Sequence, residues 1–269
     1  MMMSDSAIGI FDSGLGGLTA VKQLEKVLPN ENIIYFGDTA RVPYGSRSQQ
    51  TIIRYAEQDA SFLLSKGVKM IIAACGTVSS VAADLGNVLP VPFTGVVEPT
   101  AQAAVNATKN GIIGVIGTSA TVSSKSYKKA ILAKDKKFKV YQQECPLFVS
   151  LVENGFISED DKIVQLVAER YLEKLKNIKI DTLILGCTHF PIIAKAIQNY
   201  LGDEVTLIDS GRETAIYAAD MLKQKDLLNK STEKGEAVYY VSDTVEDFRK
   251  TAQIFLGQND IQDIYHITL

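Results

Sequence analysis

Two cysteines stand in matching surroundings, offset by 112 residues. Cys75 closes the apolar run 68–74 and precedes Gly76-Thr77, whereas Cys187 follows 182–186 and precedes Thr188-His189. Short apolar runs bounded by polar and glycine residues read as buried strands of a parallel sheet. Ligands of such sheets bind beyond the carboxyl ends of the strands. A helix N-terminus beginning there presents free N–H groups and partial positive charge, so each thiol is expected to ionise more easily than usual. Thr77 and Thr188 add hydroxyls that can cap the helix or hold a carboxylate. If two such loops face each other, one thiolate can take a proton from carbon while the opposite thiol returns one to the other face. That is inversion at a carbon acid, and it requires neither metal nor redox partner. Cys187 with His189 also admits a nucleophile–base pair, and either cysteine can be a small buried hydrophobe. Zinc is disfavoured because paired Cys-x-x-Cys or Cys/His spacing is missing. Cys145, before Pro146, has no comparable setting and reads as structural.

The elements that must carry these loops alternate between β-rich apolar runs and helical patterns, which implies an α/β fold with parallel sheets. Strands are expected at 7–11, 32–36 and 68–74, with helices at 18–27, 49–66 and 78–85. The pattern restarts with strands at 111–116, 138–142 and 182–186 and helices at 124–133, 161–175 and 191–201. Ile8-Gly9-Ile10-Phe11 parallels Ile113-Gly114-Val115-Ile116, and residues 70–75 parallel 182–187, so the chain reads as a duplication with one cysteine in each half. Crossings between the halves are expected at 92–99 and 209–214, where proline, glycine and polar residues cluster.

With 46% apolar and 22% charged residues, the 269-residue chain has the balance of an ordinary globular protein. A formal net charge of −3 argues against a protein that coats nucleic acid, so no nucleic-acid partner is expected. Three cysteines, an odd number in a chain this long, argue for free thiols. The start, Met1-Met2-Met3-Ser4-Asp5-Ser6, does not have the form of a signal peptide, and no apolar run reaches the ~18–20 residues of a membrane span. A cytoplasmic protein without a membrane partner is the expectation.

Four segments in order resemble the glutamate racemases, cofactor-independent members of the aspartate/glutamate racemase superfamily. They are Phe11-Asp12-Ser13-Gly14-Leu15-Gly16-Gly17-Leu18-Thr19, Tyr35-Phe36-Gly37-Asp38-Thr39-Ala40-Arg41-Val42-Pro43-Tyr44-Gly45, Gly114-Val115-Ile116-Gly117-Thr118, and Leu183-Ile184-Leu185-Gly186-Cys187-Thr188-His189-Phe190-Pro191. The resemblance implies two similar α/β domains, residues 1–96 plus 210–269 and residues 97–209, with the active site in the cleft between them. It makes Cys75 and Cys187 the paired acid/bases, with Asp12, Glu153 and His189 assisting them. It places Asp12, Ser13, Tyr44, Gly45, Gly76, Thr77, Thr118, Thr121, Thr188 and His189 against the substrate. Glutamate is the implied substrate, D-glutamate for peptidoglycan the implied product, and a homodimer the implied assembly. No cofactor and no metal are expected; Gly14-Leu15-Gly16-Gly17 does not form the dinucleotide fingerprint Gly-x-Gly-x-x-Gly.

The resemblance departs at position 76, where the family pattern has Asn and this chain has Gly. An amide can donate to a carboxylate and accept from an ammonium group, and losing one such charge-assisted bond costs about 1.5–3 kcal/mol. Water or the Gly76 N–H could fill the gap in part. A weakened site, a racemase for another acidic amino acid, or a ligand-binding relative is therefore the alternative expectation.

Overall fold

The computed structural model describes residues 4–257 and 261–269; Met1, Met2 and Met3, part of the stretch considered above as a leader, lie outside them. The strands in chain order are β1 (Ile8–Asp12), β2 (Ile33–Gly37), β3 (Met70–Ala73), β4 (Phe93–Gly95), β5 (Ile112–Gly117), β6 (Lys139–Glu144), β7 (Thr182–Leu185), β8 (Thr206–Asp209), β9 (Ala237–Val241) and β10 (Ile264–His266). They form two sheets, β10-β9-β2-β1-β3-β4 and β6-β5-β7-β8, and every pairing is parallel. The order β2-β1-β3-β4 recurs as β6-β5-β7-β8, which is the structural counterpart of the internal similarity between residues 8–11 and 113–116. The carboxyl-terminal strands β9 and β10 extend the first sheet beyond β2.

The central strands are apolar throughout because helices cover both sheet faces. Every residue of β1, β3 and β7 is buried. The helices are α1 (Leu18–Val27), α2 (Gln49–Ser65), α3 (Gly76–Val81), α4 (Val97–Ala107), α5 (Ser119–Ser124), α6 (Ser126–Lys134), α7 (Pro146–Glu153), α8 (Lys162–Ile178), α9 (Ala194–Leu201), α10 (Ser210–Gln224) and α11 (Val245–Leu256). Their starts follow local chemistry. Ser48 caps α2 through the Thr51 N–H, Asp161 caps α8, and Asp209 caps α10. Among the described residues, no helix is long and apolar enough to cross a membrane.

Several boundaries differ from the sequence reading. The helix expected at 78–85 starts at Gly76 and ends at Val81, followed by a 3-10 turn over Ala83–Asn87. The helix expected at 124–133 is two, α5 and α6, broken where Lys125 takes a left-handed conformation with φ 57°. The helix expected at 191–201 begins as a 3-10 turn, Phe190–Ile193. The stretches 92–99 and 209–214 hold β4 and the starts of α4 and α10.

Register decides where the loops open. Phe11 pairs with Phe36 and with Ala73, so β1, β2 and β3 end at one level. Ile116 likewise pairs with Gln143 and Leu185. At the opposite edge of the first sheet, Lys69 and Glu31 form a buried ion pair. Lys69 Nζ also donates to the Ser4 carbonyl at 2.5 Å, and Glu31 Oε1 accepts the Asn229 N–H at 2.7 Å. The pair thus ties the chain start and the segment before β9 to the sheet. Removing one partner of a buried pair leaves an uncompensated charge, which costs about 3–5 kcal/mol. Glu31→Gln should lower the free energy of unfolding in urea by about that amount, and Glu31→Leu combined with Lys69→Met should recover most of it; a single substitution within about 0.5 kcal/mol of the parent would contradict this role.

Candidate active site

Most residues singled out from sequence lie on the loops that follow β1, β3, β5 and β7, while Tyr44 and Gly45 follow β2 and Glu153 ends α7. Asp12 is the last residue of β1, is buried, and its Oδ2 accepts the Gly14 N–H at 3.1 Å. The next residue, Ser13, places its Oγ 3.3 Å from Cys75 Sγ. Cys75 is the residue preceding α3, as a thiol at a strand-to-helix turn must be. Across from it, His189 Nδ1 lies 3.8 Å from Cys187 Sγ, and its Nε2 lies 2.9 Å from Glu153 Oε1 at the end of α7. Phe255 of α11 meets the His189 ring edge-on, with centroids 5.1 Å apart.

Hydroxyls join the two sheets. Thr77 Oγ1 and Thr118 Oγ1 are 3.2 Å apart, and Thr118 Oγ1 lies 3.1 Å from Thr121 Oγ1 while capping α5. Thr19 Oγ1 donates to the Thr188 carbonyl at 3.0 Å, holding the second cysteine loop against α1. Gly45 borders Thr118: a Cβ built on it falls 3.8 Å from Thr118 Cβ. The Tyr44 hydroxyl, by contrast, is committed elsewhere. It donates to Asp38 and lies 3.2 Å from Asp59 Oδ2. Arg41 reaches both acids, Nε to Asp38 at 2.6 Å and Nη2 to Asp59 at 3.0 Å. The Tyr44 side chain is therefore scaffold, and its carbonyl accepts the Arg47 N–H at 2.9 Å.

Sequence reasoning missed Asp38, Arg41 and Asp59 as individuals. Asp59 carried a signal, because it lies on the apolar stripe of α2 between Ala56, Ala60 and Leu63. Burial and the neighbouring Asp38 charge push its carboxyl well above the usual range, with Arg41 opposing. Cys145 is buried ahead of α7, where burial and then the Cys187 charge raise its thiol, and His266 lies exposed in β10.

The electrostatics correct the expectation of two easily ionised thiols. Burial, reinforced by the Asp12 charge, pushes Cys75 up to about 12, and the Ser13 hydroxyl and the Val78 and Thr77 N–H groups only partly oppose this. Cys75 therefore holds its proton at neutrality. Burial also raises the Asp12 carboxyl, against the restraint of the Gly17, Gly14 and Ser13 N–H groups and the His189 charge. For His189, burial alone would lower the pKa, but the hydrogen bonds and charges of Cys187 and Glu153 win and raise it to about 10. One thiol thus stands beside a buried carboxyl, the other beside an imidazolium.

Position 76 differs from expectation as well. A Cβ built on Gly76 falls 2.5 Å from the Gly186 carbonyl oxygen, so protein already fills the space in which a missing amide would begin.

The α/β scaffold has duplicated topology, with a cysteine just after the corresponding strand of each sheet, β3 and β7. Residues 18–218 match the Asp/Glu/Hydantoin racemase family. The chain is 49% identical over 256 residues to a glutamate racemase of Chlorobaculum tepidum, covering 94% of this chain and 93% of that one. It is 44% identical to a glutamate racemase of Geobacter metallireducens, covering 98% and 97%. Its structure matches that of glutamate racemase from Francisella tularensis in complex with D-glutamate, with TM-score 0.90, 40% identity and coverage of 99% and 98%. The chain belongs to the Asp/Glu/Hydantoin racemase family, among its glutamate racemases, and is an isomerase.

The His189 setting makes stability depend on pH. Its folded-state pKa is raised from 6.5 to about 10, so the stabilisation is fully present below about 6.5 and is lost as pH rises through about 10. The raised Cys75 pKa acts in the same direction at higher pH, from about 9 towards 12. Urea unfolding between pH 6 and 10 should show falling stability, and His189→Asn should flatten the decline in the lower part of that window. A parent and variant with parallel pH profiles would contradict the assignment.

Proposed function

We propose that this enzyme interconverts L- and D-glutamate without a cofactor, using Cys75 and Cys187 as paired acid and base on opposite faces of the α-carbon. The observation that carries this reading is the meeting of the two cysteine loops, one from each sheet, with a distinct proton-handling partner beside each sulfur. In one direction a thiolate removes the α-proton, the substrate carboxylate and its hydrogen bonds take up the developing negative charge, and the opposite thiol delivers its proton to the other face. The reverse reaction exchanges the roles, so each turnover consumes and returns one proton and leaves the other bonds intact.

The surrounding groups suit an acidic amino acid. Ser13, Thr77, Thr118, Thr121 and Thr188, with the N–H groups of Tyr44, Gly45 and Gly76, supply donors for two carboxylates. Such donors stabilise an enolate-like transition state best when fixed in a dry site, and all four loops are anchored by the contacts described above. Glu153 orients and charges His189, which bonds the Cys187 sulfur; Asp12 faces Cys75 and is suited to exchange a proton on that side. The D-glutamate in the Francisella protein's complex supports glutamate as the substrate here. We further assign the residues 1–96 plus 210–269 and 97–209 to two domains, and the product to peptidoglycan synthesis in the cytoplasm, with a homodimer as the working assembly.

Proton NMR in D₂O with L-glutamate, read with chiral analysis, should show loss of the α-proton signal as D-glutamate appears. Cys75→Ser and Cys187→Ser should each reduce racemisation by at least about 10²–10⁴-fold, the contribution of a general acid or base, while the far-ultraviolet circular dichroism is kept. Near-normal turnover in either variant would contradict the two-thiol mechanism.

A further inference from the structure

Tyr35 ties the middle of the first sheet to the turn that faces Cys75. It is the third residue of β2, is fully buried, and pairs with Ile10 of β1. Its hydroxyl donates to the Gly14 carbonyl at 2.9 Å. The same turn carries the Gly14 N–H that Asp12 Oδ2 accepts and, one residue earlier, the Ser13 hydroxyl 3.3 Å from Cys75 Sγ. The Tyr35 ring is held between Tyr239 and Phe248, each with its centroid 6.2 Å away. The end of β2 also confines the Gly14 carbonyl, since a Cβ on Gly37 would overlap its oxygen. Burial, with the Asp12 and Cys75 charges, raises the Tyr35 phenol well above its usual range, so it remains a donor. Two residues further along the loop the anchor changes. The Gly16 carbonyl accepts the Thr19 N–H at 3.0 Å as α1 begins, and Thr19 Oγ1 bonds the Thr188 carbonyl. A Cβ on Gly16 would meet Thr188 Oγ1 and His189 Nδ1. The loop after β1 therefore touches both half-sites, with α1 holding its Cys187 side and Tyr35 its Cys75 side.

Resting on the racemase reading above, we propose that Tyr35 is a positioning residue for proton transfer at Cys75: by holding the Gly14 carbonyl, its hydroxyl keeps the turn in place and the Ser13 hydroxyl on the Cys75 sulfur. Proton transfer to and from a buried thiol depends on the hydrogen bonds at its sulfur, and the Ser13 hydroxyl supplies one that favours the thiolate against burial. Without the Tyr35 hydroxyl, the buried Gly14 carbonyl loses its donor and the turn relaxes toward another partner. The Ser13 hydroxyl moves with it. Small misplacements of this kind slow a proton transfer that needs close alignment. The Cys187 side keeps its own anchors, Thr19 and the Glu153–His189 pair, so the loss falls on one of the two proton transfers.

The test is Tyr35→Phe, which keeps the ring and its packing and removes the hydroxyl. Steady-state rates are measured for L- and D-glutamate carrying hydrogen or deuterium at the α-carbon. The two enantiomers are equal in free energy, so kcat/KM should fall by the same factor for both, about tenfold for the loss of one positioning bond. The primary isotope effects on kcat/KM should separate. The effect should grow for the enantiomer whose α-proton Cys75 removes and shrink for the other, whose slow step becomes reprotonation by Cys75. The enantiomer with the larger effect should be the one that Cys187→Ser still exchanges with solvent. In a Ser13→Ala background, where the turn has no hydroxyl to place, Tyr35→Phe should cost less than about threefold. Parental kcat/KM in Tyr35→Phe, a loss with both isotope effects unchanged or moving together, or the full loss repeated in Ser13→Ala would overturn the proposal while leaving the racemase reading intact. A parent that does not racemise glutamate would overturn both.

Discussion

The site depends on the placement of two cysteines, each just after the third strand of one sheet, with hydroxyl contacts between the halves that carry them. A racemising site must present acid and base to opposite faces of one carbon, and a single strand end cannot do so. Duplication supplies the answer: the β2-β1-β3-β4 order recurs as β6-β5-β7-β8, and each copy delivers a cysteine from its third strand. Parallel strands ending in register turn these third-strand ends toward a common site. Contacts that include Thr77 with Thr118, Ser80 with Ser126 and Thr19 with the Thr188 carbonyl hold the two ends together.

The half-sites are related by topology but not by electrostatics. Burial and the Asp12 carboxyl keep the proton of Cys75 in place, with the Ser13 hydroxyl opposing them. Cys187 stands beside an imidazolium that Glu153 holds in the charged form. Such a division places a protonated thiol in one half and an imidazolium beside the thiol of the other. It also explains why helix N-termini do not dominate here: α3 is only six residues long, and its N–H groups at Thr77 and Val78 are outweighed by desolvation.

Much of this was legible in the sequence, for physical reasons that also mark the limit. The runs forming β1, β3, β5 and β7 are central strands covered on both faces, so they stand out as continuous apolar segments. The three-residue strands β4 and β10 have no such mark, because a short or half-exposed strand need not be apolar, whereas the extension strand β9, Ala237-Val238-Tyr239-Tyr240-Val241, carries an apolar run that the sequence reading does not include. Pro99 in the first turn of α4 and Gly211 in that of α10 gave those segments the composition of loops. The site residues were legible because they follow strand ends within ordered motifs. The Asp38–Arg41–Asp59–Tyr44 network was not, since its pairing is tertiary. The Cys75 shift was misjudged because the local helix terminus is visible in a sequence and the depth of burial is not. Gly76 reads as a lost amide in one dimension and as an occupied contact in three.

The measurement that bears most directly on the paired-thiol site is enantiomer-specific exchange by single-thiol enzymes. Cys75→Ser and Cys187→Ser would each be incubated in D₂O with pure L- and pure D-glutamate, and the α-proton followed by NMR. A lone thiol reaches one face of the carbon, so each variant should exchange one enantiomer without inverting it, and the two variants should choose opposite enantiomers. Exchange of the same enantiomer by both variants, or inversion by either, would contradict the account.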